Sequence, residues 1–589
     1  MRLTPALVAA SLLTAAAHPS PAAAAGSAAD RSFRALYERE WAWRQKQRGE
    51  TDEDEQASRI RPSMPRVDAA TQAQRLSYWT GVMRELRSVD PRRLSPREQE
   101  NYAVYRAQLQ VLINQQTFRD WEKPLTGDSA FWSDAAGVAR QPFRRAEDYP
   151  RYISQLRDLP RYFDEQVADM RAGLKRGFTP PRVTLEGRDS AIASVADAKS
   201  PEDVIWYAPF RQFPKGVPAA DQARLRAEGA AAIRDGVQPA YARLLKFWRE
   251  EYLPGARKEL AAESLPDGKR YYQALITEFT TTSMTPEQIH AFGLAETAKI
   301  RAEMQTEIGR AGFKGDLPAF LRFLKTDAQF KPKTAEELMR YAAWISKEFD
   351  YKAARWFGYA PRGRFGVIPV PADIAPYYTA GRGGANAYLV NTYDLPSRAL
   401  YAMPALTLHE SAPGHSWQQN VAREQKDLPK FRRAYISAFG EGWALYCERL
   451  GDEMDMYHTP YERFGMLSYQ AWRTSRLVVD TGIHAKGWTR EQAQAYLRDN
   501  TALSDHEVET EVDRYISWPG QALSYYLGQA AIQKARAKAE AALGAKFDIR
   551  AFHDTVLKLG SVPLPVMEAR IDRFIAEGGP EPYPKSVVE

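Results

Sequence analysis

With 589 residues, 44% of them apolar, the chain can bury one or two sizeable cores, and its single cysteine, Cys447, excludes an internal disulfide framework. The net charge of +7 comes from 81 Lys and Arg interspersed with 74 Asp and Glu. No basic tract, zinc-knuckle pattern or RNA-binding signature accompanies it, which argues against a nucleic-acid partner.

Residues 1–25 join a basic start at Arg2 to an apolar run over Leu3–Ala17 and small-residue sites at Ala22–Ala25, the pattern of a secretory signal peptide. That run is shorter than the roughly 18 residues needed to span a bilayer, and no comparable run follows. The expectation is an exported protein, periplasmic or secreted, with no membrane partner once the signal is removed. The cleavage region lacks a cysteine, which argues against a lipid anchor.

Capping signals then recur along the chain: Ser95-Pro96-Arg97-Glu98, Thr285-Pro286-Glu287-Gln288, Thr489-Arg490-Glu491-Gln492 and Ser504-Asp505-His506-Glu507 each pair a hydroxyl with an acid or amide three residues on. Long amphipathic stretches over Pro286–Ile308, Ala335–Phe349 and Tyr461–Ala485 complete a mostly α reading. We expect a large multi-helix fold with an internal cleft, divided softly into a helical region over 26–270 and a C-terminal region over 271–589. One stretch breaks the pattern. Phe365–Val370 and Asn386–Thr392 read as strands separated by Gly381, Gly383 and Gly384, a small sheet beside the next helix. Its edge could pair with an extended peptide or simply close the domain, and Asn391 at its end is a further candidate for substrate contact.

The chemistry centres on Thr407–Gln419, TLHESAPGHSWQQ. His409 and Glu410 open it like the H-E-x-x-H helix of zinc peptidases, where the histidines bind metal and the glutamate acts as general base. Here His415 follows at six residues rather than four, which would place it on another side of a straight helix. Pro413 and Gly414 directly before it supply a bulge or break that re-aims it. A zinc hydrolase needs a third protein ligand. Glu441, 26 residues after His415, is the first choice. Glu448, one heptad later, is the alternative, or orients a liganding imidazole from behind.

The segments YYTAGRGGANAYLVNT, LTLHESAPGHSWQQ, FGEGWALYCERL and RYISWPGQALSYYLG together resemble the bacterial family called domain of unknown function 885, in which H-E-x-x-P-G-H is the most specific element. That family is similar to the gluzincin metallopeptidases, including the thimet-oligopeptidase-like and angiotensin-converting-enzyme-like groups. The resemblance implies one zinc ion completed by a glutamate a few dozen residues after the histidines. It also implies an oxyanion-stabilising phenol at Tyr525 or Tyr526. Arg476, Asp480 and His484 fall on one face of a predicted helix: Asp480 is a candidate to orient a ligand, and Arg476 and His484 to contact substrate or take part in catalysis. Arg514 is a candidate anchor for a peptide carboxylate. The function expected is hydrolysis of oligopeptides by an exported zinc metallopeptidase. The alternatives are a zinc hydrolase of a non-peptide amide or ester, and an inactive peptide-binding protein, against which the intact Glu410 argues.

Overall fold

Helix starts follow the capping chemistry read from the sequence. Thr285, Thr489 and Ser504 each accept a bond from the backbone three residues on, while Gln288, Gln492 and Glu507 reach back to the cap residue. Thr459 and Glu462 form a further box. At Ser95 the helix begins at Pro96 as expected, but the side chain makes no cap bond. Glu98, which would complete that box, is buried and drawn instead to Arg34 at 2.7 Å, and Asp30 accepts the Ser95 backbone N–H.

The computed structural model describes residues 27–48, 60–127, 129–372 and 374–580, so the expected signal peptide lies outside it. The principal helices are α1 (Ala28–Arg48), α2 (Ala69–Ser88), α3 (Pro96–Phe118), α4 (Asp148–Arg176), α5 (Gln238–Phe247) and α6 (Pro286–Arg310). They are followed by α7 (Met403–Glu410), α8 (His415–Glu424), α9 (Ser437–Glu453), α10 (Pro460–Lys486), α11 (Asp505–Ser517) and α12 (Ser524–Leu543). The largest apolar core joins Phe33, Trp79 and Tyr105 of α1–α3 to Met304 of α6, Trp443 of α9 and Phe552 near the C-terminal end. A second core forms within residues 60–256 around Trp206, Tyr241 and Trp248. Among the described residues, no helix is long and apolar enough to cross a membrane.

Among the described residues three strands interrupt the helices: β1 (Gly366–Pro369), β2 (Gly381–Gly383) and β3 (Ala387–Val390), in the order β1-β3-β2. β1 and β3 fall inside the two expected runs and pair in parallel, Gly366 opposite Ala387 and Pro369 opposite Val390. The glycine stretch expected to separate them is itself a strand, antiparallel to β3. Glycine is required there because β2 runs against α7: a Cβ on Gly383 would stand 1.8 Å from the Glu410 carbonyl oxygen. The sheet thus sits directly on the His-Glu helix.

Two further glycines set the helix crossing that carries the acidic side of the site. A Cβ on Gly442 of α9 would lie 2.4 Å from Gly528 Cα on α12, and one on Gly528 would lie 2.0 Å from the Ala438 carbonyl oxygen. Backbone meets backbone, so no side chain can rotate away. Gly528→Ala should therefore lower stability by about 1–3 kcal/mol. Gly81→Ala, inside α2 with nothing within 4 Å of the new Cβ, should be neutral or gain up to about 1 kcal/mol. Denaturant unfolding of the two variants side by side checks the contrast.

Candidate metal centre

The two histidines approach one another because the helix between them is broken. α7 ends at Glu410, Ser411 leaves helical geometry (φ −100°, ψ −107°), and α8 starts afresh at His415. Gly414 folds back onto the last turn of α7, its N–H donating to the Leu408 carbonyl at 3.0 Å. A Cβ on Gly414 would stand 1.9 Å from the His409 carbonyl oxygen, so only glycine makes this return. Trp443 of α9 fixes the loop by donating its Nε1–H to the Pro413 carbonyl at 2.8 Å. The imidazoles of His409 and His415 end 4.9 Å apart, centre to centre and nearly perpendicular, both buried.

α9 brings two acids with different duties. Glu441 Oε2 lies 3.3 Å from His415 Nε2 and 3.7 Å from His409 Nε2. Glu448, fully buried, accepts from His409 Nδ1 at 2.7 Å. In the neutral imidazole that a metal requires, that bond keeps the proton on Nδ1 and leaves Nε2 as the donor atom on the Glu441 side. Burial alone would raise the Glu441 carboxyl, but the imidazoles, His415 foremost, hold it well below the usual carboxylate range. Burial lowers His409, yet Glu441 and Glu448 outweigh it and raise the imidazole to about 10. Such a set of donors calls for a cation. Donors sharing one tetrahedral zinc at roughly 2.0–2.1 Å stand about 3.3–3.4 Å apart, which the His415–Glu441 and His409–Glu441 separations approach, so His409, His415 and Glu441 fit zinc.

Glu410 stands beside this trio. Its carboxylate, with His409 and His415, offers ligand atoms within 4.8 Å of one another. Its Oε2 accepts the Gly383 N–H at 2.6 Å, so β2 holds the side chain in place. Tyr435 donates its hydroxyl to Glu441 Oε1 at 3.2 Å. It is half exposed, but to the interior: burial first, then the Glu441 carboxylate, raise the phenol well above its ordinary range. All of these residues open onto a cavity of about 2190 Å³ that also reaches Arg473, Arg476, Arg514 and Tyr525.

The family described as bacterial proteins of unknown function, DUF885, matches residues 49–571. The chain belongs to the DUF885 family. No curated protein matches it. Its fold is shared with a candidate lipoprotein from Colwellia psychrerythraea: TM-score 0.86, 26% identity, 93% of this chain and 100% of the other covered. A candidate lipoprotein of unknown function from Shewanella oneidensis is similar at TM-score 0.64 and 18% identity, over 92% and 98% of the two chains. An M32 carboxypeptidase from Deinococcus radiodurans R1 aligns over 86% of this chain and 99% of its own, at 15% identity and TM-score 0.30.

The remaining residues singled out in this DUF885 sequence divide into two groups. Arg476, Arg514 and Tyr525 line the same cavity as His409, Glu410, His415 and Glu441. Asp480, His484, Asn391 and Tyr526 do not. Asp480 accepts from Tyr272 Oη at 2.6 Å and Gly520 N at 3.0 Å, and burial lifts its carboxyl to about 7. His484 Nδ1 accepts the Ala262 N–H and its Nε2 meets the Tyr515 carbonyl; burial depresses it to about 3. Sharing a helix face with Arg476 was no guide, because four and eight residues along α10 are displacements of roughly 6 and 12 Å, past the cavity and into packed segments. Asn391 ties β3 to the Ala375 and Tyr378 carbonyls, each at 2.9 Å. Tyr526 turns the other way from Tyr525 and donates to Glu296 of α6 at 2.8 Å. Sequence reasoning missed Gly383, Tyr435 and Arg473. Arg473 alone carried a signal, one helical turn before Arg476.

Glu448 gives this arrangement a measurable signature. Glu448→Gln keeps the volume but weakens the acceptor behind His409, and zinc affinity should fall about 10–100-fold. Competition with a chromogenic chelator reads that change without any assay of activity.

Proposed function

We propose that this protein is an exported zinc-dependent peptidase that hydrolyses peptide bonds of oligopeptides. The observation that carries the reading is the convergence of His409, His415 and Glu441 around one point, with Glu410 beside it and a large cavity in front. A zinc ion held by those three side chains supplies Lewis acidity toward a carbonyl oxygen and lowers the pKa of a bound water.

The chain's own residues do the rest. Glu410, anchored through Oε2 by Gly383 N–H, takes a proton from the attacking water on its other oxygen and returns it to the leaving amine. Tyr525, in the cavity wall, directs its phenol to the oxygen that gains charge as the carbonyl is attacked. Tyr435 steadies the Glu441 carboxylate from the cavity side. β2 is an edge strand whose residues line the cavity, so an extended peptide can pair with its backbone as an added strand. The leader-like residues 1–25 support export, and a site recessed in a cavity favours peptides over folded proteins.

Two measurements test the reading together. Elemental analysis of protein purified without chelator should find one zinc per chain in the wild type and in Glu410→Gln, and none in His409→Ala or His415→Ala. Mass spectrometry of a mixed peptide library should show cleavage by the wild type that falls on the order of 10²–10⁴-fold in Glu410→Gln. Zinc retained without any Glu410-dependent cleavage would move the substrate class away from peptides.

A further inference from the structure

The cavity wall beside Tyr525 carries two buried arginines, Arg473 and Arg476. Among the described residues, nine arginines but only four glutamates line the cavity, with no lysine or aspartate. Arg473 of α10 is the extreme case. It is only 7% exposed, its Nε and Nη1 are buried, and its guanidinium makes no hydrogen bond or ion pair among the described residues. It stacks instead on aromatic rings, 3.9 Å from the centre of Trp472, 4.9 Å from Tyr469 and 5.8 Å from Tyr525.

One helical turn on, Arg476 is 2% exposed and lies 4.6 Å from the same Tyr525 ring. It donates from Nε to Tyr515 Oη at 2.9 Å and from Nη2 to Glu511 at 2.8 Å, while its Nη1 is buried without an acceptor. Glu511 is itself within 3.8 Å of Arg514. One carboxylate therefore serves two guanidinium groups, and Arg473 has none. Ring faces offset part of the cost of burying a cation, but they do not occupy its N–H groups. An anion reaching this wall from the cavity would complete both arginines with charge-assisted bonds.

We propose that Arg473 and Arg476, flanking Tyr525, form an anion subsite that takes a carboxylate of the peptide substrate. The peptide rests on the peptidase reading, whereas the anion subsite rests on the arginines alone. The subsite shares its cavity with His409, His415 and Glu441. The carboxylate is supplied by the C-terminal residue or by an acidic side chain.

The test is binding rather than turnover. Zinc-loaded, full-length Glu410→Gln protein is titrated calorimetrically with acetyl-tetra-alanine as the free acid, with its C-terminal amide, and with the amide carrying aspartate in place of one alanine. The free acid should bind about tenfold or more tighter than the plain amide if the C-terminus is the source; the aspartyl amide should do so if a side chain is. In Glu410→Gln/Arg473→Met the preference should vanish, and in Glu410→Gln/Arg473→Lys part of it should return. The Tm of Arg473→Met without ligand separates a binding role from a structural one. Removing a buried charge that has no acceptor should leave Tm unchanged or higher. A Tm lowered by several degrees, equal binding of acid and amide, no binding of any of the three, or a preference that survives in Arg473→Met each overturns the subsite. Arg473-dependent preference for a carboxylate in a protein that cleaves no peptide would instead sink only the peptidase reading.

Discussion

One carboxylate oxygen, Glu441 Oε2, lies within 3.7 Å of both Nε2 atoms of His409 and His415, and the local architecture is arranged to make that approach possible. Two imidazoles and an acid confined at this distance oppose burial, since each charged form loses solvation that only its partners replace. Glu448 bonds His409 Nδ1 from behind, and Tyr435 occupies the other oxygen of Glu441. The result is a set of nitrogen and oxygen atoms facing one another, held by hydrogen bonds from outside.

Backbone contacts at glycine enforce this geometry. Gly414 returns the chain onto the end of α7, Gly383 presses β2 against Glu410, and the Gly442–Gly528 contact seats α9 close to α12. In each case the obstructing atom is backbone, which cannot swing aside as a long side chain can. Placement of the donors is therefore determined by close-packed main chain, the stiffest material a protein has, and side chains need only be added to it.

Two groups of charge line the cavity. Glu410 and Glu441 stand with the paired histidines; along α10 and α11, Arg476 and Arg514 share Glu511, with Arg473 one helical turn away. Tyr525 belongs with the arginines by its stacking on Arg473 and Arg476. Charges of both signs lining a concave wall orient a polar ligand more strongly than they would on an open surface, because the adjoining protein screens them less than water does.

Much of this was legible in the order of residues. Caps and helical periodicity gave the class of fold, since both are local: a threonine three residues before a glutamine closes a box wherever it occurs. The group His409, Glu410, His415 and Glu441 was legible too, because few residue types suit such a pattern, and Pro413-Gly414 marked where the helix breaks. What the sequence could not supply was the direction of a side chain relative to elements distant in the chain. Asp480 and His484 share a helical face with Arg476 yet meet residues 272, 520, 262 and 515 instead of the cavity. Tyr525 and Tyr526 are adjacent, and only packing decides which one lines the cavity. The missing acceptor of Arg473 is likewise a property of three dimensions: a buried charge without a partner cannot be seen until every neighbour has been placed.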